Sequence, residues 1–297
     1  MTDVILQTSD GVQFHINKII LSLSSQFFKD MFTLPPPPKE SNSADAEQKL
    51  PVIHVDDDTQ GLFQLLSWCH PHGAPSTDFD NLVVTLRLAN KYDMEHTIKR
   101  VEKFLRSSTE VVKKDCFRVY AIAMQYQLWE VAKMAAQYTL EIPINDIPDA
   151  EEFKLISGAD LQKLNRYRSD CVVAMRKVVG NHEWSQTGIM NAWPEVKQIA
   201  STGCQCLKVD TYKQTHMRLW LIRYMDILES KCRDTPASDG SLDGNSFDLI
   251  RKSATCSSCS AMLNGWVTYN QFVASITKRL SEAKSTVSLA LIIYIHC

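Results

Sequence analysis

The stretch that decides the fold is DVILQTSDGVQFHINKIILSLSSQFFKDMF, residues 3–32. In its first half, apolar residues recur at every second position on both sides of the turn Ser9-Asp10-Gly11. This alternation predicts a β-hairpin, because glycine adopts the positive φ that a tight turn needs. From Lys18 to Phe32 the apolar spacing changes to three and four residues, which predicts amphipathic helices with a break at Ser24-Ser25. The predicted order is strand, strand, helix, helix.

The segment that follows, residues 33–50, begins with four prolines in a row and continues with polar residues. Prolines donate no backbone hydrogen bond, and the segment has no apolar periodicity, so we expect a flexible loop. A short strand is predicted at Val52 to Val55. The three aspartates Asp56 to Asp58 then predict the N-cap of a helix. Further helices are predicted over Leu82–Tyr92 and Met94–Leu105.

The ordered set of residues in this region resembles the BTB/POZ domain family. The positions that carry the resemblance are Asp3, Val4, Leu6, Asp10, Gly11, Phe14, Lys18, Leu21, Ser24, Ser25, Phe27, Met31 and Phe32. There are two departures: Asn17 stands where the family usually has histidine, and His70-Pro71-His72-Gly73 replaces a more usual Tyr-Thr-Gly turn. The resemblance implies an α+β N-terminal BTB/POZ-like domain over residues 1–107, with short strands and a helical cluster.

The resemblance also implies a function in binding other proteins. Such domains often form homodimers through the first helix and the N-terminal strand, where the matching residues are Val4, Leu6, Lys18, Ile19, Ile20 and Leu23. Some dock on a cullin scaffold through the middle of the domain, where the matching residues are Phe63, Leu66 and His70. The second departure from the family pattern lies in this middle region, so the resemblance supports the general interaction role more strongly than cullin docking.

Residues 108–180 are predicted to be a helical extension. Apolar residues follow helical spacing from Ser107 to Leu140, with a break around Gln125 to Trp129. Ser157 to Asp160 has the spacing of a capping box and opens a helix toward Arg168, and Cys171 to Val179 supplies another amphipathic stretch. This extension is similar in character to the BACK region that follows many BTB/POZ domains.

Residues 181–297 are predicted to be mainly α-helical and contain tryptophans and cysteines. Helices are predicted over His216–Cys232 and near Tyr269–Leu280, separated in part by a polar loop at residues 234–245. If they are exposed, the aromatic side chains of Trp220, Tyr224 and Trp266 are candidate anchors for a partner protein.

Four cysteines in this last region have the spacing of metal ligands. Cys204 and Cys206 form a C-x-C pair, and Cys256 and Cys259 form a C-x2-C pair. Two such pairs are able to close a tetrahedral structural zinc site. His182, His216 and Cys232 are substitute ligands if one thiolate fails. The alternative is four unligated cysteines, and the long gap between the two pairs supports it.

Composition limits the remaining function classes. The chain has 297 residues and 44% hydrophobic residues, which is enough for about two domains. Its net charge is −2, with no run of three basic residues, so direct nucleic-acid binding is not expected. No stretch is apolar enough to span a membrane. The nine cysteines and the absence of a secretory signal predict reduced thiols in the cytoplasm, the nucleus or both.

Catalytic motifs are absent from the sequence. It has no P-loop, no dinucleotide-binding G-x-G-x-x-G and no G-x-S-x-G elbow, and its ten glycines do not cluster. The sequence therefore predicts a non-catalytic interaction module that dimerises through the N-terminal domain and binds a partner through the helical C-terminal half. The alternatives are a substrate adaptor of a cullin-type ubiquitin ligase and a transcription-associated regulator.

Overall fold

The computed structural model of the chain describes residues 2–34, 50–70, 73–180, 216–235, 239–242 and 266–287. Two units, Met1–Ala135 and Ala136–Cys297, divide the chain. The first contains a small sheet and a group of helices, and the second is helical in its described part. This confirms the predicted fold class. Most of the predicted loop at residues 33–50 lies outside the described residues.

A three-stranded sheet begins the first unit. β1 (Val4–Gln7) pairs antiparallel with β2 (Gln13–Ile16), and β3 (Val52–His54) pairs parallel with β1, so β1 lies in the centre. Gly11, in the turn between β1 and β2, has a φ of 85°. Only glycine adopts this conformation without strain. The predicted hairpin and its glycine turn are both confirmed.

Two short helices follow the hairpin: α1 (Lys18–Ser24) and α2 (Gln26–Thr33). Between them Ser25 has an extended backbone and is the N-cap of α2. Its hydroxyl accepts a hydrogen bond from the N–H of Phe28 at 3.0 Å and donates one to the carbonyl oxygen of Tyr92 at 2.5 Å. The predicted break is confirmed, and Ser25 also ties this break to a turn far along the chain.

Three longer helices enclose the core of the first unit: α3 (Thr59–Cys69), α4 (Phe79–Lys91) and α5 (Glu95–Ser107). As the run of aspartates predicts, Asp58 caps α3, and its carboxylate accepts a hydrogen bond from the N–H of Gly61 at 2.9 Å. The buried apolar side chains between sheet and helices are Val4, Leu6, Leu21, Phe28, Val55, Leu62, Leu65, Leu88, Ala89, Tyr92 and Met94.

Three further helices continue from this core: α6 (Thr109–Lys114), α7 (Cys116–Gln125) and α8 (Trp129–Thr139). The predicted interruption between α7 and α8 is confirmed. A second interruption at Asp115 was not predicted, because the apolar spacing continues through it. α6 and α7 belong to the first unit, which therefore extends beyond residue 107.

The turn between α4 and α5 and the turn between α7 and α8 have the same backbone conformation and hydrogen bonding. Asp93 and Gln127 have φ values of 50° and 57°, the left-handed conformation that ends many helices. In each turn the next residue, Met94 or Leu128, donates its N–H to a carbonyl oxygen five residues earlier, at 2.7 and 2.8 Å. Both helical pairs are thus closed by a Schellman-type turn without glycine.

The second unit contains a 3₁₀ turn (Glu151–Leu155) and the helices α9 (Gly158–Gly180), α10 (His216–Asp234) and α11 (Trp266–Thr286). α9 packs against both α10 and α11. The sequence predicts two helical stretches between residues 157 and 179, whereas the structure has one continuous helix, since no residue between them disrupts the backbone. None of the described helices combines the length and apolarity needed to cross a membrane.

A buried arginine fixes the start of this unit. Arg168 lies on α9 and is almost inaccessible to solvent. Its guanidinium donates hydrogen bonds to the carbonyl oxygens of Ile142 and Pro143, at 2.7 and 2.9 Å. These carbonyl groups belong to the segment that follows α8, which ends at Thr139. Arg168 therefore ties the segment after α8 to α9.

Candidate protein-interaction surfaces

The exposed face of α1 carries two large apolar side chains. Ile19 is 65% exposed and Leu23 is 80% exposed. They are four residues apart and so lie on one face of the helix, while Leu21 is buried in the core. The start of α1 is fixed because the Asn17 side chain accepts a hydrogen bond from the N–H of Ile19 at 3.0 Å. We name the pair Ile19 and Leu23 the α1 apolar face.

The other residues predicted for dimerisation are less accessible. Val4 and Leu6 are fully buried in the core of their own unit, so their side chains are not available to a second chain, and the contribution predicted for them has to be revised. Lys18 and Ile20 are half-buried. The backbone N–H of Lys18 donates to the Asp3 carboxylate at 2.6 Å, which ties α1 to the N-terminal segment.

Sequence reasoning did not single out one exposed aromatic side chain on the next helix, α2. Phe27, on α2, is about half exposed although its ring centroid lies 5.3 Å from that of Phe28 and 5.8 Å from that of Tyr92. The pair Phe27-Phe28 follows the Ser25 cap directly, and helical geometry places only one of two adjacent residues toward the core. The sequence shows that one of these two phenylalanines is exposed. It does not show which one, because that depends on the residues of the core against which they pack.

The residues predicted for cullin docking lie on or next to α3. Phe63 is 52% exposed, whereas Leu66 is half-buried and packs against the core. His70 is exposed immediately after the helix. On the inner side of α3, a Cβ atom at Gly61 would lie 3.1 Å from Leu88 of α4, so the glycine allows close packing. Phe63 is therefore presented to solvent by a firmly packed helix.

A buried carboxylate joins the start of α3 to the end of α4. The side chain of Asp57 is 7% exposed and accepts hydrogen bonds from the Lys91 ammonium at 2.8 Å and from the Tyr92 hydroxyl. Burial alone would raise the pKa of Asp57, but these hydrogen bonds and the positive charges of Lys91 and Arg87 outweigh it and lower that pKa. Burial and the bond to Asp57 raise the pKa of Tyr92.

In the C-terminal half, Tyr224 is not a binding anchor. Its side chain is fully buried, its ring centroid lies 5.2 Å from that of Phe272 on α11, and its hydroxyl donates a hydrogen bond to the carbonyl oxygen of Gly240. Exposure was the condition for Tyr224 to act as an anchor, and this condition is not met because Phe272 of α11 packs against its ring. The side chains of Trp220 and Trp266 lie outside the described part of the chain.

The zinc site stays a prediction. Cys204, Cys206, Cys256 and Cys259 all lie outside the described residues, as does the substitute ligand His182. The substitute ligand Cys232 is buried in α10. Among the described residues, no group of three or more His, Cys, Asp or Glu side chains is placed to hold a metal ion.

Comparison with known proteins gives the family of the N-terminal unit. Residues 1–109 match the BTB/POZ domain. Kelch repeat and BTB domain-containing protein 4 of Mus musculus is 26% identical over 144 residues, which are 48% of this chain and 25% of that protein. The Homo sapiens protein of the same name is 25% identical over 144 residues, with the same coverage. The match thus spans about a quarter of the length of these relatives.

The match and the structure agree on the same region. The sheet, the helices α1 to α5 and the core between them all lie within residues 1–109. A BTB/POZ domain is a domain through which proteins bind one another, and this coarse function agrees with the exposed apolar side chains on α1 and α3. The chain therefore has a BTB/POZ domain at its N-terminus, over residues 1–109.

Proposed function

We propose that this protein is a non-catalytic interaction module that dimerises through its BTB/POZ domain and binds a partner protein through its helical C-terminal half. The α1 apolar face is the observation that carries the proposal. A monomer in water gains nothing by exposing two large aliphatic side chains on one helical face, and contiguous exposed apolar surface often marks an interaction site.

The energy available from this face is large enough to matter. Full burial of an Ile or Leu side chain is worth about 1.5–3 kcal/mol. In a two-fold symmetric dimer the same patch is used by both chains, so Ile19 and Leu23 each contribute twice. The half-buried Ile20 and Lys18 border this face and would form the edge of the interface.

Sedimentation of the full chain tests the dimer. We expect the unmodified protein to have the mass of two chains and Ile19→Asp/Leu23→Asp to have the mass of one, because two buried carboxylates per chain would be desolvated without partners. Val173→Asp is the control, since Val173 is also an exposed aliphatic residue on a helix but lies in the second unit. A double variant that sediments like the control would contradict dimerisation through α1.

A second candidate function, docking on a cullin scaffold as a ubiquitin-ligase substrate adaptor, is favoured by one observation. Phe63 is a large aromatic side chain exposed on α3, in the part of the domain where the family resemblance implies cullin contact. The half-buried Leu66 is a poor test position, because a charge there would disturb the core.

Binding of the purified chain to a purified cullin N-terminal domain tests this function. We expect Phe63→Asp to abolish retention, and Val12→Asp to retain it, because Val12 is comparably exposed but lies in the hairpin turn region. Equal retention of both variants, or no retention of the unmodified chain, would refute cullin docking. The transcription-associated alternative stays a prediction, and no surface among the described residues favours it.

A further inference from the structure

A cavity of about 590 Å³ opens in the second unit. It is bounded by the last residues of α8, by α9, by the residue that follows α10 and by the last turns of α11. Its volume falls within the range of about 300–1,000 Å³ that is usual for ligand pockets. None of the residues that line this cavity lies in the BTB/POZ domain.

The floor of the cavity is apolar and neutral. Leu140 and Tyr167 line it and are themselves buried. The Tyr167 hydroxyl is hydrogen-bonded to the Cys171 thiol, one turn further along α9, and burial raises the pKa of both groups. Tyr167 thus lines the cavity beside the aliphatic side chain of Leu140. An apolar side chain that enters the cavity would therefore meet matching surface.

The rim of the cavity is polar and carries one available positive charge. Ser281 and Lys284 lie one turn apart on α11, and Thr235 follows α10. Within the described part of the chain, the Lys284 ammonium forms no ion pair, and its positive charge acts to lower the pKa of the Cys171 thiol, against the larger effect of burial. Glu141 also lines the cavity, so the lining carries one charge of each sign.

From this geometry we propose that the cavity binds a short peptide segment of a partner protein, in which one carboxylate stands next to an apolar side chain. This inference rests on the proposed function and names the chemistry of the partner. The carboxylate pairs with Lys284, and the apolar side chain packs on Leu140 and Tyr167.

The carboxylate has two sources, an aspartate or glutamate side chain or the free C-terminus of the partner. Both present the same two oxygen atoms to an ammonium group. The experiment separates them because each selected peptide is made twice, once with a free C-terminus and once amidated. Binding that survives amidation assigns the carboxylate to a side chain, and binding lost on amidation assigns it to the chain end.

The test uses the full chain and a library of random heptapeptides displayed on phage, followed by fluorescence titration of the synthesised peptides. We expect enriched sequences to share an acidic group beside Leu, Ile, Phe or Tyr. Lys284→Glu should weaken their binding at least about tenfold. Lys278→Glu is the matched control, because Lys278 lies on the same helix, is more exposed and pairs with Glu282 outside the cavity; it should change the dissociation constant by less than about twofold.

A second variant guards against a purely long-range charge effect. Ser281→Trp adds bulk at the exposed rim and should block the cavity without changing its charge, with circular dichroism confirming that the helices are intact. The inference is overturned if no peptide is enriched, if the enriched peptides lack an acidic group, or if they bind Lys284→Glu and Ser281→Trp as tightly as the unmodified chain. In the last case the peptides bind elsewhere, so the interaction function stands while the cavity is excluded.

Discussion

Replacing Asp57 with alanine is expected to destabilise the first unit by about 1–4 kcal/mol. Its carboxylate is the acceptor that joins the beginning of α3 to the end of α4, through the Tyr92 hydroxyl and the Lys91 ammonium. Removing the carboxylate leaves both donors without this acceptor. The free-energy cost is different for the Tyr92 hydroxyl and for the Lys91 ammonium.

The larger loss comes from Tyr92. This side chain is buried, so its hydroxyl cannot exchange Asp57 for bulk water, and an unsatisfied buried polar group costs about 1–3 kcal/mol. Lys91 is 41% exposed, so solvent screens its ion pair and reduces its contribution to about 0–1 kcal/mol. Their sum gives the expected range.

Hydrogen exchange measured by mass spectrometry on the full chain is the assay, because it reports the opening free energy of α3 and α4 separately from the second unit. Asp56→Ala is the control, since Asp56 is the exposed neighbour of Asp57. The double variant Asp57→Ala/Tyr92→Phe should be less destabilised than the sum of its single variants by about 1–2 kcal/mol, because each removes the same contact.

Two results would refute this reasoning. If Asp57→Ala and Asp56→Ala exchange alike in α3 and α4, the buried carboxylate contributes no stability. If the effects of Asp57→Ala and Tyr92→Phe add without coupling, the hydroxyl has found another partner and its contact with Asp57 is not the cause of the loss.

Three further predictions concern the same domain. Leu65→Ala, at a fully buried position, should lower the free energy of unfolding by about 2–5 kcal/mol in urea titrations, whereas Phe63→Ala at an exposed one should change it by less than about 1 kcal/mol. Gln127→Gly should raise the melting temperature by relieving a left-handed backbone worth about 1–2 kcal/mol, while Gly11→Ala, which imposes such strain, should lower it. The pKa of Asp57 in the folded state is lowered from 3.8, so the charged carboxylate stabilises the folded chain above pH 3.8. This stabilisation is lost as the pH falls below 3.8 and the carboxylate becomes protonated. In acid titrations the free energy of unfolding should therefore fall more steeply with pH for the unmodified chain than for Asp57→Asn.

Local patterns in the sequence were sufficient to predict most of the first unit. The hairpin, the break at Ser25 and the cap at Asp58 depend on chemistry within a few residues: alternation along a strand, the positive φ of Gly11, and side-chain oxygens that accept backbone N–H groups. Such signals act before any tertiary contact forms, so the sequence alone carries them. The resemblance to BTB/POZ domains rested on the same ordered residues and is confirmed.

The tertiary structure decided which apolar residues are buried and which are exposed. Val4 and Ile19 are both aliphatic and both fit the pattern of a contact surface, yet Val4 is in the core and Ile19 faces solvent. Tyr224 has the spacing of a buried residue and the chemistry of an anchor, and only the packing of α11 decides between them. Periodicity defines a face of a helix or strand, but it does not state which other element covers that face.

Buried polar groups were the least predictable part of the chain. Arg168 stands in a helix among polar neighbours, where an arginine is expected to be solvated, and Asp57 stands between two other aspartates in a capping run. Each is buried because its partners arrive from distant segments: Ile142 and Pro143 for Arg168, and Tyr92 for Asp57. The sequence by itself determined the elements and the family of the N-terminal domain, because those depend on short-range periodicity and capping. Only the tertiary structure decided which polar groups are paired, which apolar groups are free to bind and where a cavity lies, because these depend on contacts between residues far apart in the chain.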